Sequence, residues 1–229
     1  MSVGFGAAVV PASDAEAAAW VQERFDRQLV SCVGFEAYLR IGHSSPGDDE
    51  PVDASPELVC AIAEMGVRHT STPDLAHIAV WEGHGWVGTS TYWIEQRPGR
   101  GVLVRAAAAI RRRVLQARAR RQQLAEQRRL VGQLSAIPSF ELPNRRYHLL
   151  TGPVSAAAGI RSPADGVEPQ MPDLWWPDDR AWFVSTDTDL DFTVVAGSEA
   201  FVSELGAAWP GRAARWQGCE GQDGDAEAT

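Results

Sequence analysis

The chain has 229 residues, 45% of them hydrophobic and 22% charged, with nine tryptophans and a net charge of −9. Such a balance fits a folded domain with a sizeable core, and no run of about 18 apolar residues without a charge is present to span a bilayer. The opening MSVGFGAAVVPASDAEA carries an apolar run with no basic residue before it, so no secretory leader is expected and the N-terminus reads as part of the fold. Cys32, Cys60 and Cys219 lie far apart with no CxxC pair, which argues against a disulfide framework and a structural zinc site. A reducing, cytoplasmic setting is the expectation. All 21 basic side chains are arginine and Asn144 is the one asparagine; avoidance of AT-rich codons accounts for both.

In chain order, residues 13–30 predict a first helix, with Ser13 as N-cap, Glu16 completing a capping box, and Ala17, Trp20, Val21 and Phe25 on one face. GFEAYLRIGH (34–43) alternates apolar and polar residues with the period of a strand. A polar Pro/Gly loop follows over 44–56. SPELVCAIAEMGVRHT (55–70) predicts a second helix, with Ser55 as N-cap, Pro56 at the first helical position and Gly66 as terminator. HIAVWEG (77–83) reads as a strand running into a glycine turn. A further strand is expected over Arg145 to Thr151, stopped by Gly152 and Pro153. RAWFVST (180–186) and FTVVAGS (192–198) read as two strands joined by an acidic turn, and Ser198 caps a last helix, EAFVSEL. Residues 210–229 read as a loose acidic tail. Short antiparallel strands with helices bunched elsewhere predict an α+β fold: one domain over 1–209, mainly an antiparallel sheet with flanking helices. No GxGxxG or GxxxxGK[ST] loop occurs, and no cofactor is implied.

That domain is interrupted over 100–135 by an arginine-rich insertion. Residues 97–146 hold 13 arginines and two acids, a balance of +11, against −20 for the rest of the chain. Residues 102–131 contain no proline or glycine and consist largely of strong helix formers, which predicts a rod ~45 Å long. Its apolar residues fall on a seven-residue line, Leu103, Ile110, Ala117, Leu124 and Val131. A second line, Ala107 and Val114, turns into Arg121 and Arg128, so the first half is expected to pack and the second to project. The rod can dock on its own acidic body, pair with a second copy or a protein partner, or bind nucleic acid through Arg111, Arg112, Arg113, Arg118, Arg120, Arg121, Arg128 and Arg129. The last is disfavoured by the acidic whole and by the lack of aromatic residues for base stacking.

PDLWWPDDRAWFVSTDTDLDFTVVAGS (172–198) is the other feature. Pro177 stiffens a corner after Trp175 and Trp176, and Arg180 is placed to fork onto Asp187 or Asp189. In the strand that follows, Trp182, Val184 and Thr186 face one way and Phe183 and Ser185 the other, so one set is expected to be core. Two readings stand side by side: a tryptophan-braced corner with an internal ion pair, or a cleft edged by Trp81, Trp86 and Trp176 with Asp179 and Arg180. Glu82 and His84 are spaced for general acid–base work, but no GxSxG or other nucleophile motif accompanies them. Asp187, Asp189 and Asp191 lack the glycine and glutamate of a calcium loop, so no metal is assigned.

The blocks GFEAY, WEGHGW, LPNRRYHLLTGP and LWWPDDRAWFVST resemble those of a family of uncharacterised proteins common in high-GC Gram-positive bacteria. Two departures stand out: Ala196 replaces a glycine of the closing block, and the arginine-rich segment occupies the family's variable link. A looser likeness is to the SUKH superfamily of bacterial immunity and interaction proteins, which implies an α+β fold that binds partners. The expectation is a non-catalytic protein-binding module, with no membrane association. Its contact surfaces would be the tryptophan corner and the arginine helix. A small-ligand binder or enzyme using Glu82 and His84 is the alternative.

Overall fold

The computed structural model describes residues 5–44, 55–84, 116, 118, 120–121, 124–125, 127–163 and 169–218. Among the described residues eleven short strands form: β1 (Val10–Pro11), β2 (Phe25–Asp26), β3 (Ser31–Cys32), β4 (Ala37–Gly42), β5 (Ala76–Trp81), β6 (Ser139–Leu142), β7 (Arg145–Gly152), β8 (Leu174–Pro177), β9 (Phe183–Thr186), β10 (Phe192–Gly197) and β11 (Ala213–Arg215). Nine form one antiparallel sheet in the order β1-β7-β5-β8-β9-β10-β4-β11, with β6 sharing the outer edge of β7 with β1. β2 and β3 pair as a separate small hairpin. The fold is α+β. Asn144 shows how local chemistry sets the β6–β7 hairpin: Leu142 pairs with Arg145, leaving a two-residue loop in which Pro143 fixes a negative φ and Asn144 takes φ +71°.

α2 (Pro56–Gly66) and α4 (Glu199–Ala208) lie on one face of the sheet. α2 starts at Ser55, whose hydroxyl accepts the Leu58 amide, and α4 starts at Ser198, whose hydroxyl accepts the Phe201 amide. They cover a core containing Leu39, Ile78, Leu150, Trp175, Trp182 and Val195. On the opposite face α1 (Ala19–Arg24) brings Trp20 and Val21 onto Ala79, Leu149, Leu174, Trp176 and Phe183. Both faces of the 182–186 alternation are therefore core, through Trp182 and Val184 on one side and Phe183 and Ser185 on the other, with Thr186 only half-buried at the strand end, because the centre of the sheet is sandwiched between two apolar layers.

Four expectations change. The first helix shrinks to one 3-10 turn (Glu16–Ala18) and α1, since Phe25 and Cys32 pair in the β2–β3 hairpin; Asp14, not Ser13, accepts the Glu16 amide. Gly66 is the last residue of α2, as expected, but it does not end the helix in a left-handed turn. It is helical at φ −58°, and a Cβ there would lie 2.9 Å from the Trp182 ring, so it makes room for the indole. The residues after Pro210 do not leave the fold at once: Ala213–Arg215 join β4, and Trp216 packs on Phe192 and donates to the Leu29 carbonyl. The rest of the expected tail, 219–229, lies outside the described residues. Finally, the arginine-rich helix, α3, runs unbroken over 127–134, through Gly132. Leu130, Leu134 and Ile137 enter the helix-side core, which offsets the ~1 kcal/mol that glycine costs a helix.

Candidate functional site

The tryptophan corner is filled by its own side chains. Trp175, Trp176 and Trp182 are 1%, 0% and 0% exposed. Trp175 and Trp182 meet edge to face at 5.0 Å, and the Trp182 indole donates to the Gly66 carbonyl. On the other face, Trp176 stacks on Phe183 and His77 and meets Trp20 edge-on at 5.8 Å. No indole surface here is presented to solvent. Asp179, expected in a cleft, is a latch: its carboxylate accepts the Thr70 hydroxyl (2.8 Å), the Ser71 amide (2.6 Å) and hydroxyl (2.7 Å), and the Ala181 amide (3.1 Å). Partial burial pushes its pKa up, but these donors outweigh that and hold it below the usual carboxylate range. Arg180 does not fork onto the acidic turn. It sits at φ +57° with its guanidinium 5.3 Å from the Trp20 ring.

The acidic turn is claimed instead by Arg145, at the start of β7. Its guanidinium lies 4.6 Å over the Trp81 ring and reaches Asp187 and Asp189, both at 2.6 Å. Asp191 faces Arg40 at 3.5 Å. The sequence hides this pairing because β5 and β8 separate β7 from β9; Arg145 meets the turn only past the ends of those two strands.

Behind Trp81 lies a buried polar pair that sequence reasoning missed. Asp173, 4% exposed, accepts the Trp81 amide at 2.8 Å and lies 2.9 Å from His84 Nε2. Burial raises its pKa against the pull of His84, the Trp81 amide and Arg145. Tyr147 is pushed up as well, by burial and then by the Asp173 charge. An aspartate two residues before a tryptophan pair was the available signal. Glu82 is engaged elsewhere: it is 52% exposed, lies 3.9 Å from Arg146, and its amide donates to the Arg146 carbonyl. Glu82 and His84 thus have different partners and do not form a joint acid–base pair. Trp86 lies outside the described residues.

The arginine helix has the opposite character. Arg111, Arg112 and Arg113 lie outside the described residues. Arg118, Arg120, Arg121, Arg128 and Arg129 are all exposed, and none of Arg118, Arg120, Arg121 and Arg128 makes an ion pair with a described residue. Leu124 and Val131, on the predicted seven-residue line, are 44% and 49% exposed. The helix is anchored by Leu130 and Leu134, off that line. No helix of the described residues is long and apolar enough to cross a membrane. No protein-family model, curated protein or solved structure matches this chain.

Proposed function

We propose that this chain is a non-catalytic interaction module whose contact surface is the arginine-rich helix, and that its partner is an acidic protein surface. The supporting observation is the stripe Arg121, Leu124, Arg128 and Val131, at i, i+3, i+7 and i+10, which shares one helix face and is exposed throughout. Arginine flanking an aliphatic side chain is the composition that anchors protein contacts: the apolar residues supply buried area and the guanidiniums supply orientation. Asp187, Glu141 and Asp191 are paired with Arg145, Arg146 and Arg40, so these carboxylates do not take up the charges of the helix. The tryptophan corner serves as the rigid support rather than as the contact.

The test is cross-linking in cells through a photoreactive residue at position 124. The wild-type helix is compared with an R118E/R120E/R121E/R128E variant of unchanged melting temperature. Capture of acidic protein that disappears in the variant is expected. Equal capture by both proteins, or capture of nucleic acid in place of protein, overturns the reading.

A further inference from the structure

The acidic surface that fits this stripe best is on the chain itself. Along the outer face of α2 and the 3-10 turn after it (Val67–His69), Glu57, Cys60, Glu64 and Val67 also stand at i, i+3, i+7 and i+10. They are exposed, Val67 by 37%. One stripe reads Arg–Leu–Arg–Val and the other Glu–Cys–Glu–Val, with the same intervals. Charges seven residues apart on a helix are separated by ~10 Å along the axis. A parallel, in-register pairing therefore brings Arg121 to Glu57 and Arg128 to Glu64 at once, and lays Leu124 against Cys60 and Val131 against Val67. The antiparallel pairing sets each arginine against an apolar position and desolvates it without a partner.

The α2 stripe borders a recess suited to an aliphatic side chain. α2 and the 3-10 helix Val154–Gly159 flank an open cavity of about 490 Å³, lined by Cys60, Ala63, Glu64, Val67, Ser155 and Ala158. Arg68 at its rim is neutralised by Glu204. Glu64 makes no ion pair with a described residue, and Glu57 is held ionised by its own amide and the Ser55 hydroxyl. Both stripes are exposed, and neither makes an ion pair with another element among the described residues.

We propose that the arginine-rich helix of one copy docks in parallel on the α2 groove of a second copy, with Arg121 on Glu57, Arg128 on Glu64 and Leu124 in the recess beside Cys60. This rests on the helix being the contact surface. The contact joins two different patches, so it closes as a reciprocal pair or continues head to tail. In either form it weakens with salt, since all four charges are at the surface.

Sedimentation velocity of the full chain over a concentration series tests this. Self-association at low salt is expected. R121E/R128E and E57R/E64R should each weaken it by about tenfold or more. Mixing those two variants should restore association, because the acidic helix of one then meets the basic groove of the other. With Cys219 changed to serine, Leu124→Cys should form an intermolecular disulfide to Cys60 under mild oxidation, lost in the added C60S variant. A chain that stays monomeric while the helix still captures another acidic protein overturns this proposal and leaves the contact-surface reading standing. Self-association that survives the groove reversal overturns it as well. Survival through the helix reversal overturns both.

Discussion

The tryptophan corner and the arginine helix are both compositional extremes of one chain, yet the fold treats them oppositely. At the corner each indole meets another ring or a backbone carbonyl, and each nearby charge has an assigned partner. On the helix, four arginines and two aliphatic side chains face solvent with no such partners among the described residues. The lesson is that unusual composition does not mark a binding surface by itself; what marks it is chemistry left unsatisfied once the fold has formed. The sharpest way to break this comparison is Trp182→Ala. It empties a fully buried site between Trp175 and Phe201 and removes the donor to the Gly66 carbonyl. A loss of about 4 kcal/mol in denaturant unfolding is expected. A loss below about 1 kcal/mol is the size of a surface change and would make the corner a site rather than a brace.

Asp173 tests whether the buried polar pair is also scaffold. Asp173→Ala leaves the Trp81 amide without its side-chain acceptor and His84 without its carboxylate, at a cost of about 3 kcal/mol. Asp173→Asn keeps one acceptor and should cost about half as much. Both are read from chemical denaturation. If the two substitutions proved equally mild while abolishing binding, the pair would belong to a functional surface.

Asp179 is expected to matter less, because it is exposed. Asp179→Ala should cost about 1 kcal/mol, discounted for solvent screening. Its pH signature is signed. The folded pKa lies below the ordinary carboxylate value, so the folded state binds fewer protons than the unfolded chain at acid pH. Its contribution is fully present above the ordinary carboxylate pKa and is lost as pH falls through the folded value. Melting curves of wild type and variant should therefore converge in acid and separate toward neutral pH; a constant separation would remove the ionised latch from the account.

Much of the fold was legible in the sequence. Alternation placed β4, and serine caps placed α2 and α4. The line that fades into Arg121 and Arg128 was a poorer guide: it has the second half of the arginine helix project, yet Leu130 and Leu134 of that half are buried. What was not legible depended on neighbours distant in the chain. Arg145 and Arg180 have equal chemical claim on Asp187 and Asp189, and only the strand order decides between them. Gly66 was legible as the end of α2, but not as the residue that makes room for Trp182. Asp173 and His84 are too far apart along the chain for spacing to suggest a pair.

The last prediction expects almost no effect on stability, and that is its force. Reversing Arg118, Arg120, Arg121 and Arg128 to glutamate removes four cations from a chain whose remaining residues are net acidic. If the helix were docked on its own body, this would break four attractions and add four repulsions, and the melting temperature would fall well outside surface-mutation scatter. The positions are exposed and make no ion pair among the described residues, which implies instead a change within about 0.5 kcal/mol at moderate salt, with helix content by circular dichroism nearly unchanged. Leu130→Ala, two residues from Arg128, supplies the contrast. Its side chain is 5% exposed in the helix-side core and should cost about 3 kcal/mol. One helix would then carry an inner face that the fold needs and an outer face that it does not, and the outer face is free to be spent on a partner.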